Sequence, residues 1–128
     1  MSYLLDTHAF LWFISGDIRL STNARAIIEN ESNETYLSVA SIWEISIKAR
    51  LSRLELIGSP EKVIQDNMYS NGFICLPIEK THALQIYNLP DYHRDPFDRI
   101  LIAQSQVENL ILLTTDSQIK QYNVATIW

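Results

Sequence analysis

The sequence predicts an α/β protein built on a parallel sheet with helices on both faces. Three observations predict it. Short apolar runs alternate with longer stretches of helical periodicity along the chain. The runs are continuously apolar, as in Tyr3-Leu4-Leu5 and Leu110-Ile111-Leu112-Leu113, which suits strands covered on both faces. Each run is followed by a helical stretch long enough to return the chain to the same end of the sheet, so neighbouring strands run parallel.

The elements follow in order. Tyr3 to Leu5 is a buried strand, and His8 to Ser15 a helix closed by Gly16. Ser21 caps a helix that runs to about Glu31. Thr35 to Ser38 is the second strand. Ala40 to Arg53 is helical and places Trp43, Ile47, Leu51 and Leu54 on one stripe, the side expected to pack. Ser59-Pro60 opens the next helix, with serine at the cap and proline in the first turn, and Asn71-Gly72 ends it. Phe73 to Leu76 is the third strand. Glu79 to Leu89 is helical and stops at Pro90, and Asp95-Pro96 opens a helix to about Asn109. Leu110 to Thr114 is the fourth strand, Ser117 to Tyr122 a short helix, and Ala125 to Ile127 a last short strand.

The 128 residues suit one domain spanning residues 1–128, with a core that needs no disulfide. Hydrophobic residues make up 47%, which excludes a disordered chain. Cys75 is the only cysteine; within Phe73-Ile74-Cys75-Leu76 it is expected to be a buried, inert thiol. The net charge of -5 argues against a broad phosphate-binding surface. It does not argue against a nuclease, because bound divalent cations invert the sign that a phosphate meets. There is no basic leader before Asp6, and no apolar run approaches the roughly 20 residues that span a bilayer. The expectation is a cytoplasmic protein without a membrane segment.

Acids recur where the strands end. Asp6 follows the first strand and Asp116 the fourth, so in a parallel sheet both emerge at the ligand-binding edge. Each has an ordinary reading as an N-cap. Asp95-Pro96-Phe97-Asp98 has capping-box spacing, with Asp95 as the cap and Asp98 pointing back toward the strand ends. Glu44 fits a capping box with Ser41 and an i,i+4 pair with Lys48; it also borders the Trp43–Ile47 stripe, where burial would call for a cation. Acids converging on one edge repel one another and need compensation. Oxygen ligands without a Cys or His cluster suit Mg²⁺ or Mn²⁺. His8, His82 and His93 share no ligand spacing, and His8 beside Asp6 is open between the site and a structural role. Arg94 and Arg99 flank the acids, either to contact substrate phosphate or to pair with Asp95 and Asp98. Thr7 and Thr115, next to strand-end acids, are candidates for supporting hydrogen bonds or for local turn bonding.

Four segments together resemble the PIN-domain family in its VapC-type toxin branch. They are Leu4-Leu5-Asp6-Thr7-His8-Ala9-Phe10-Leu11-Trp12, Ser38-Val39-Ala40-Ser41-Ile42-Trp43-Glu44-Ile45, His93-Arg94-Asp95-Pro96-Phe97-Asp98-Arg99-Ile100-Leu101-Ile102-Ala103-Gln104 and Leu113-Thr114-Thr115-Asp116. The ending from Tyr122-Asn123-Val124 to Trp128 also fits. The resemblance implies a three-layer α/β/α sandwich of Rossmann-like kind. It implies that Asp6, Glu44, Asp98 and Asp116 are the catalytic acids and hold Mg²⁺ or Mn²⁺, with Asp95 as cap or supporting residue. It implies RNA as substrate, a homodimer, and a small cognate antitoxin that holds the enzyme inactive. The apolar run from Ala9 to Ile14, with Trp12 in it, is expected to leave surface for a partner helix or a second copy; an arginine from the partner would then enter the acidic pocket.

Two other functions compete. The acidic pocket could dock a partner without turnover, as a catalytically silent binding module. A haloacid-dehalogenase-like phosphatase also begins with a strand-end aspartate, but it requires a second acid two residues on, where this chain has His8.

Overall fold

The computed structural model describes residues 1–128. The chain runs β1 (Ser2–Leu5), α1 (Thr7–Ser15), α2 (Thr22–Glu29), β2 (Glu34–Ser38), α3 (Val39–Arg50), α4 (Pro60–Asn71), β3 (Ile74–Leu76), α5 (Lys80–Gln85), α6 (Pro96–Glu108), β4 (Ile111–Leu113) and β5 (Thr126–Ile127). All five strands are parallel, in the order β3-β2-β1-β4-β5. The chain first builds outward from β1 through β2 to β3, then crosses back to lay β4 against the other side of β1. The order therefore reverses between β1 and β4, and in such sheets the ends of those two strands form the ligand crevice.

Alternate residues of the central strands feed two separate cores, which makes the three layers. Tyr3, Leu5 and Leu113 pack with Phe10 of α1, Ala24 and Ile28 of α2 and Ile64 of α4. Leu4 and Leu112 face the opposite way, onto Leu101, Ile102 and Ala103 of α6 with Ile119 and Tyr122. A period-two strand with both faces covered reads as unbroken leucine, as here. The helix starts are local and strongly specified. Asp6, Ser21, Ser38, Ser59 and Asp95 each accept a hydrogen bond from a backbone N–H of the turn they cap. Gly16 and Gly72 close α1 and α4 at φ 67, a left-handed geometry that costs glycine little.

Several expectations are corrected. The stretch from Ser117 to Tyr122 forms only a 3₁₀ turn, Ile119–Gln121. The fifth helix ends at Gln85 and tightens into a second 3₁₀ turn, Ile86–Asn88. Cys75 is exposed, not buried, because β3 is the edge of the sheet. Most of the stripe faces outward: Trp43 is 57% and Leu51 55% exposed, while Leu54 packs partly buried on the first core and Ala40, Ser41, Glu44 and Ile45 face inward. Helical period alone cannot tell which of two faces meets the core when the inner one carries small and polar residues. In α1, Ala9 and Phe10 are buried, and Leu11 to Ile14 are partly buried against the first core. No helix is long and apolar enough to cross a membrane.

Candidate metal centre

Asp6 leaves β1 as the N-cap of α1. Its Oδ1 accepts from the Ala9 N–H at 2.7 Å and its Oδ2 from the Thr114 hydroxyl at 2.6 Å. Burial raises its pKa above the usual carboxylate value, opposed by those two hydrogen bonds. Thr114 also accepts from the Asp116 N–H at 3.1 Å, so one buried hydroxyl ties the ends of β1 and β4 together. Asp116 Oδ1 caps the following turn through the Gln118 N–H at 2.8 Å, and its Oδ2 lies 3.1 Å from His93 Nε2.

Asp98 sits in the first turn of α6. Asp95 caps that helix, accepting from the Phe97 and Asp98 N–H groups at 2.8 and 3.3 Å. The Asp98 carboxyl is pushed up to about 7, mainly by burial, then by the negative charge of Asp95, with smaller contributions from Glu44 and Asp6; His93 opposes the shift. Glu44 reaches the same edge from the inner face of α3. Its Oε1 accepts from the Thr7 hydroxyl at 2.7 Å, with Ser41 Oγ 2.9 Å from Thr7 Oγ1, and its Oε2 pairs with Lys48 at 2.6 Å. Both ordinary and functional features of Glu44 thus coexist: it has its i,i+4 partner and it is buried.

The structure therefore brings Asp6, Thr7, Glu44, Asp95, Asp98 and Asp116 to one edge. Other candidates lie elsewhere. Thr115 is exposed, and the threonine that touches the acids is Thr114. The Arg99 guanidinium is taken up by the Pro90 carbonyl at 2.9 Å, the His93 carbonyl at 3.3 Å and the Tyr122 hydroxyl at 3.2 Å. Arg94 is exposed and forms no ion pair. His82 pairs with Glu108 at the far end of α6, whereas His8 stacks on Trp12 and stays close enough to Asp6 for its charge to favour the carboxylate.

His93 was not legible as a site residue from spacing. It is buried, and its Nε2 lies 3.1 Å from Asp98 Oδ2 and 3.1 Å from Asp116 Oδ2. These three ligand-capable atoms fall within 4.8 Å of one another, the tightest such grouping in the chain. The only signal in the sequence was its place at the start of the His93-Arg94-Asp95-Pro96-Phe97-Asp98 segment; its direction depends on the fold.

The donor set fits a hard divalent cation. Four carboxylates share one edge, Lys48 is the only side-chain ammonium or guanidinium paired with any of them, and Asp98 is driven toward its neutral form by burial and by its acidic neighbours. Beside them a groove of about 550 Å³ runs between α1 and α4, past Thr7, Leu11, Trp12, Leu54, Ile57 and Val63.

Among known proteins, no curated sequence matches the chain. Solved structures match its fold at low identity. They include VapBC2 from Rickettsia felis bound to a DNA fragment from their promoter, at 14% identity and a TM-score of 0.74, covering 100% of this chain and 99% of that one. DNA-bound VapBC from Salmonella typhimurium matches at 13% identity and 0.71, covering 99% and 97%. FitAcB from Neisseria gonorrhoeae matches at 20% identity and 0.65, covering 100% and 97%. The family model described as PIN domain matches residues 3–125, nearly the whole chain, and the chain belongs to the PIN-domain family.

Proposed function

We propose that residues 1–128 form a single nuclease domain, a divalent-metal-dependent endoribonuclease that acts as the toxin of a toxin–antitoxin pair in the cytoplasm. The observation that carries this reading is the under-compensated carboxylate cluster at the β1–β4 edge, where Asp98 is pushed up to about 7. Asp6, Asp98 and Asp116 would hold Mg²⁺ or Mn²⁺ directly, and Glu44 directly or through water. When bound, such a cation makes water a better nucleophile at neutral pH and neutralises charge on the phosphodiester. The protein's own part is orientation. Thr114 fixes Asp6, the Gln118 N–H fixes Asp116, and Thr7 with Lys48 fixes Glu44. Arg94, next to Asp95 in sequence, exposed and without an ion pair, is the arginine left to meet substrate phosphate, since Arg99 is held by backbone carbonyls.

A further matched structure is described as a toxin–antitoxin complex from Klebsiella pneumoniae, at 17% identity and a TM-score of 0.67, which supports a small cognate antitoxin as this chain's partner. The α1 groove offers a partner helix an apolar bed that leads to Thr7 at the acids. The exposed Trp43 of α3 and Leu51 at its C-terminal cap offer a second copy a separate contact, in keeping with a homodimer. The test is an RNA cleavage assay with purified chain. Cleavage that requires Mg²⁺ or Mn²⁺ and stops in EDTA is expected. Cleavage unaffected by excess EDTA overturns the metal mechanism, and no cleavage with any divalent ion favours a silent pocket that only docks a partner.

A further inference from the structure

We propose that His93 is a positioning residue, a hydrogen-bond donor shared by Asp98 and Asp116 that stays outside the metal's coordination sphere; this rests on the metal-dependent reading above. The placement of Nε2 between two carboxylate oxygens gives it the outward look of a third ligand. The other ring nitrogen argues otherwise. The Asp95 backbone N–H donates to His93 Nδ1 at 3.1 Å. A lone pair must face that donor, so the proton of the neutral ring sits on Nε2.

The Nε2–H then lies 3.1 Å from Asp98 Oδ2 and 3.1 Å from Asp116 Oδ2, one hydrogen between two acceptors. To ligate a cation, Nε2 would need a free lone pair. Moving the proton to Nδ1 would set it against the Asp95 N–H, donor to donor.

The ring is held firmly in this orientation. The His93 N–H donates to the Tyr122 hydroxyl at 2.8 Å, and that hydroxyl donates to the Pro90 carbonyl at 2.8 Å. Arg99 closes the strut by donating to both the Pro90 and His93 carbonyls. Arg99 thus serves neither substrate phosphate nor a pair with Asp95 or Asp98; it holds the segment that aims His93. The shared hydrogen sets the separation of two carboxylates that come from different elements, α6 and the segment after β4, and that repel each other. It occupies one oxygen of each and leaves the remaining lone pairs for a cation. This is the usual arrangement of metal sites turned around: here the histidine orients carboxylates, where more often a carboxylate orients a histidine.

Two substitutions divide the roles of the ring. In His93→Gln the side-chain amide can still donate from near the Nε2 position. In His93→Asn it can reach only as far as Nδ1, accepting from Asp95 without reaching the acids. Mn²⁺ affinity of the full chain is measured by calorimetry, with thermal melts as the folding control. The ring nitrogens of the unsubstituted protein are followed by ¹⁵N NMR with and without Mg²⁺. The expected result is a protonated Nε2 in both states, His93→Gln binding within a few-fold of the unsubstituted chain, and His93→Asn weaker by about tenfold or more. Loss of the Nε2 proton on adding Mg²⁺, or equal affinities for His93→Asn and His93→Gln, overturns the proposal while leaving the nuclease reading intact. Failure of the unsubstituted chain to bind either ion overturns both. The NMR result needs no variant, so a substitution that unfolds the chain does not decide the matter.

Discussion

The two halves of the acid site differ in how their charge is compensated. On the β1–α3 side, Asp6 and Glu44 are buried and each of their carboxylate oxygens already has a donor: Ala9 N–H, Thr114, Thr7 and Lys48. On the α6–β4 side, Asp98 and Asp116 are 21% and 33% exposed at the side chain; the Gln118 N–H meets one oxygen of Asp116, and beyond it the two acids share the single hydrogen of His93. The first half is a pre-set wall whose four donors offset part of the cost of burying two carboxylates. The second keeps lone pairs open and bears the unrelieved repulsion, as a site poised for a cation should. On the proposed metal reading, stability rests mainly on the first half and ion affinity mainly on the second.

The largest effect should come from breaking the open half. Asp98→Asn should lower metal-supported RNA cleavage by more than about a hundredfold, since even the loss of a residue that supports a ligand costs about 10–100-fold. The same substitution should leave the melting temperature of the metal-free protein unchanged or raised, because it removes a repelled charge. A large drop in that temperature would mean that Asp98 is a structural residue and the comparison is inverted. Next, Thr114→Val should strip the closed half of its buried hydroxyl and cost about 1.5–3 kcal/mol in urea unfolding, the range for a hydrogen bond to a charged group.

The pH dependence tests the open half without a substrate. The Asp98 carboxyl titrates near 3.8 when unfolded and near 7 in the metal-free fold. Between those values the folded state holds more protons than the unfolded state, so this residue lowers stability as pH rises from about 4 to about 7 and adds no slope above that. Asp98→Asn should remove that component, seen as a flatter dependence of the unfolding free energy across the window. Mn²⁺ affinity should fall over the same range on acidification, because the ion and the proton compete for one carboxylate. The smallest effect is Lys48→Met. The partly exposed pair with Glu44 is worth only about 0.3–0.5 kcal/mol, but removing the ammonium should tighten Mn²⁺ binding a few-fold. Weaker binding would show that Lys48 is needed to orient Glu44.

What the sequence carried locally was readable from it. The caps Ser21, Ser59 and Asp95, the closures at Gly16 and Gly72, and the emergence of Asp6 and Asp116 at one edge follow from short-range chemistry and from strand–helix alternation. What depends on packing was not. Trp43 and Leu51 share a stripe, but their outward direction is set by the small and polar inner face of α3. Thr114 and Thr115 are identical neighbours after a strand buried on both faces, so no alternation marks which one turns inward. Cys75 lies in an apolar run that the sheet order leaves at its edge. His93 is held in the site by Tyr122 and Arg99, the first across a separation in sequence that no spacing rule covers.

The central claim is that the acids at the β1–β4 edge hold a divalent ion, and a Mn²⁺-soaked crystal tests it most directly. The account predicts an anomalous difference peak within coordination distance of carboxylate oxygens of Asp6, Asp98 and Asp116, with His93 Nε2 outside that shell. A peak at another cluster, such as His82 with Glu108, or no peak at saturating Mn²⁺ and pH above 7, would contradict it.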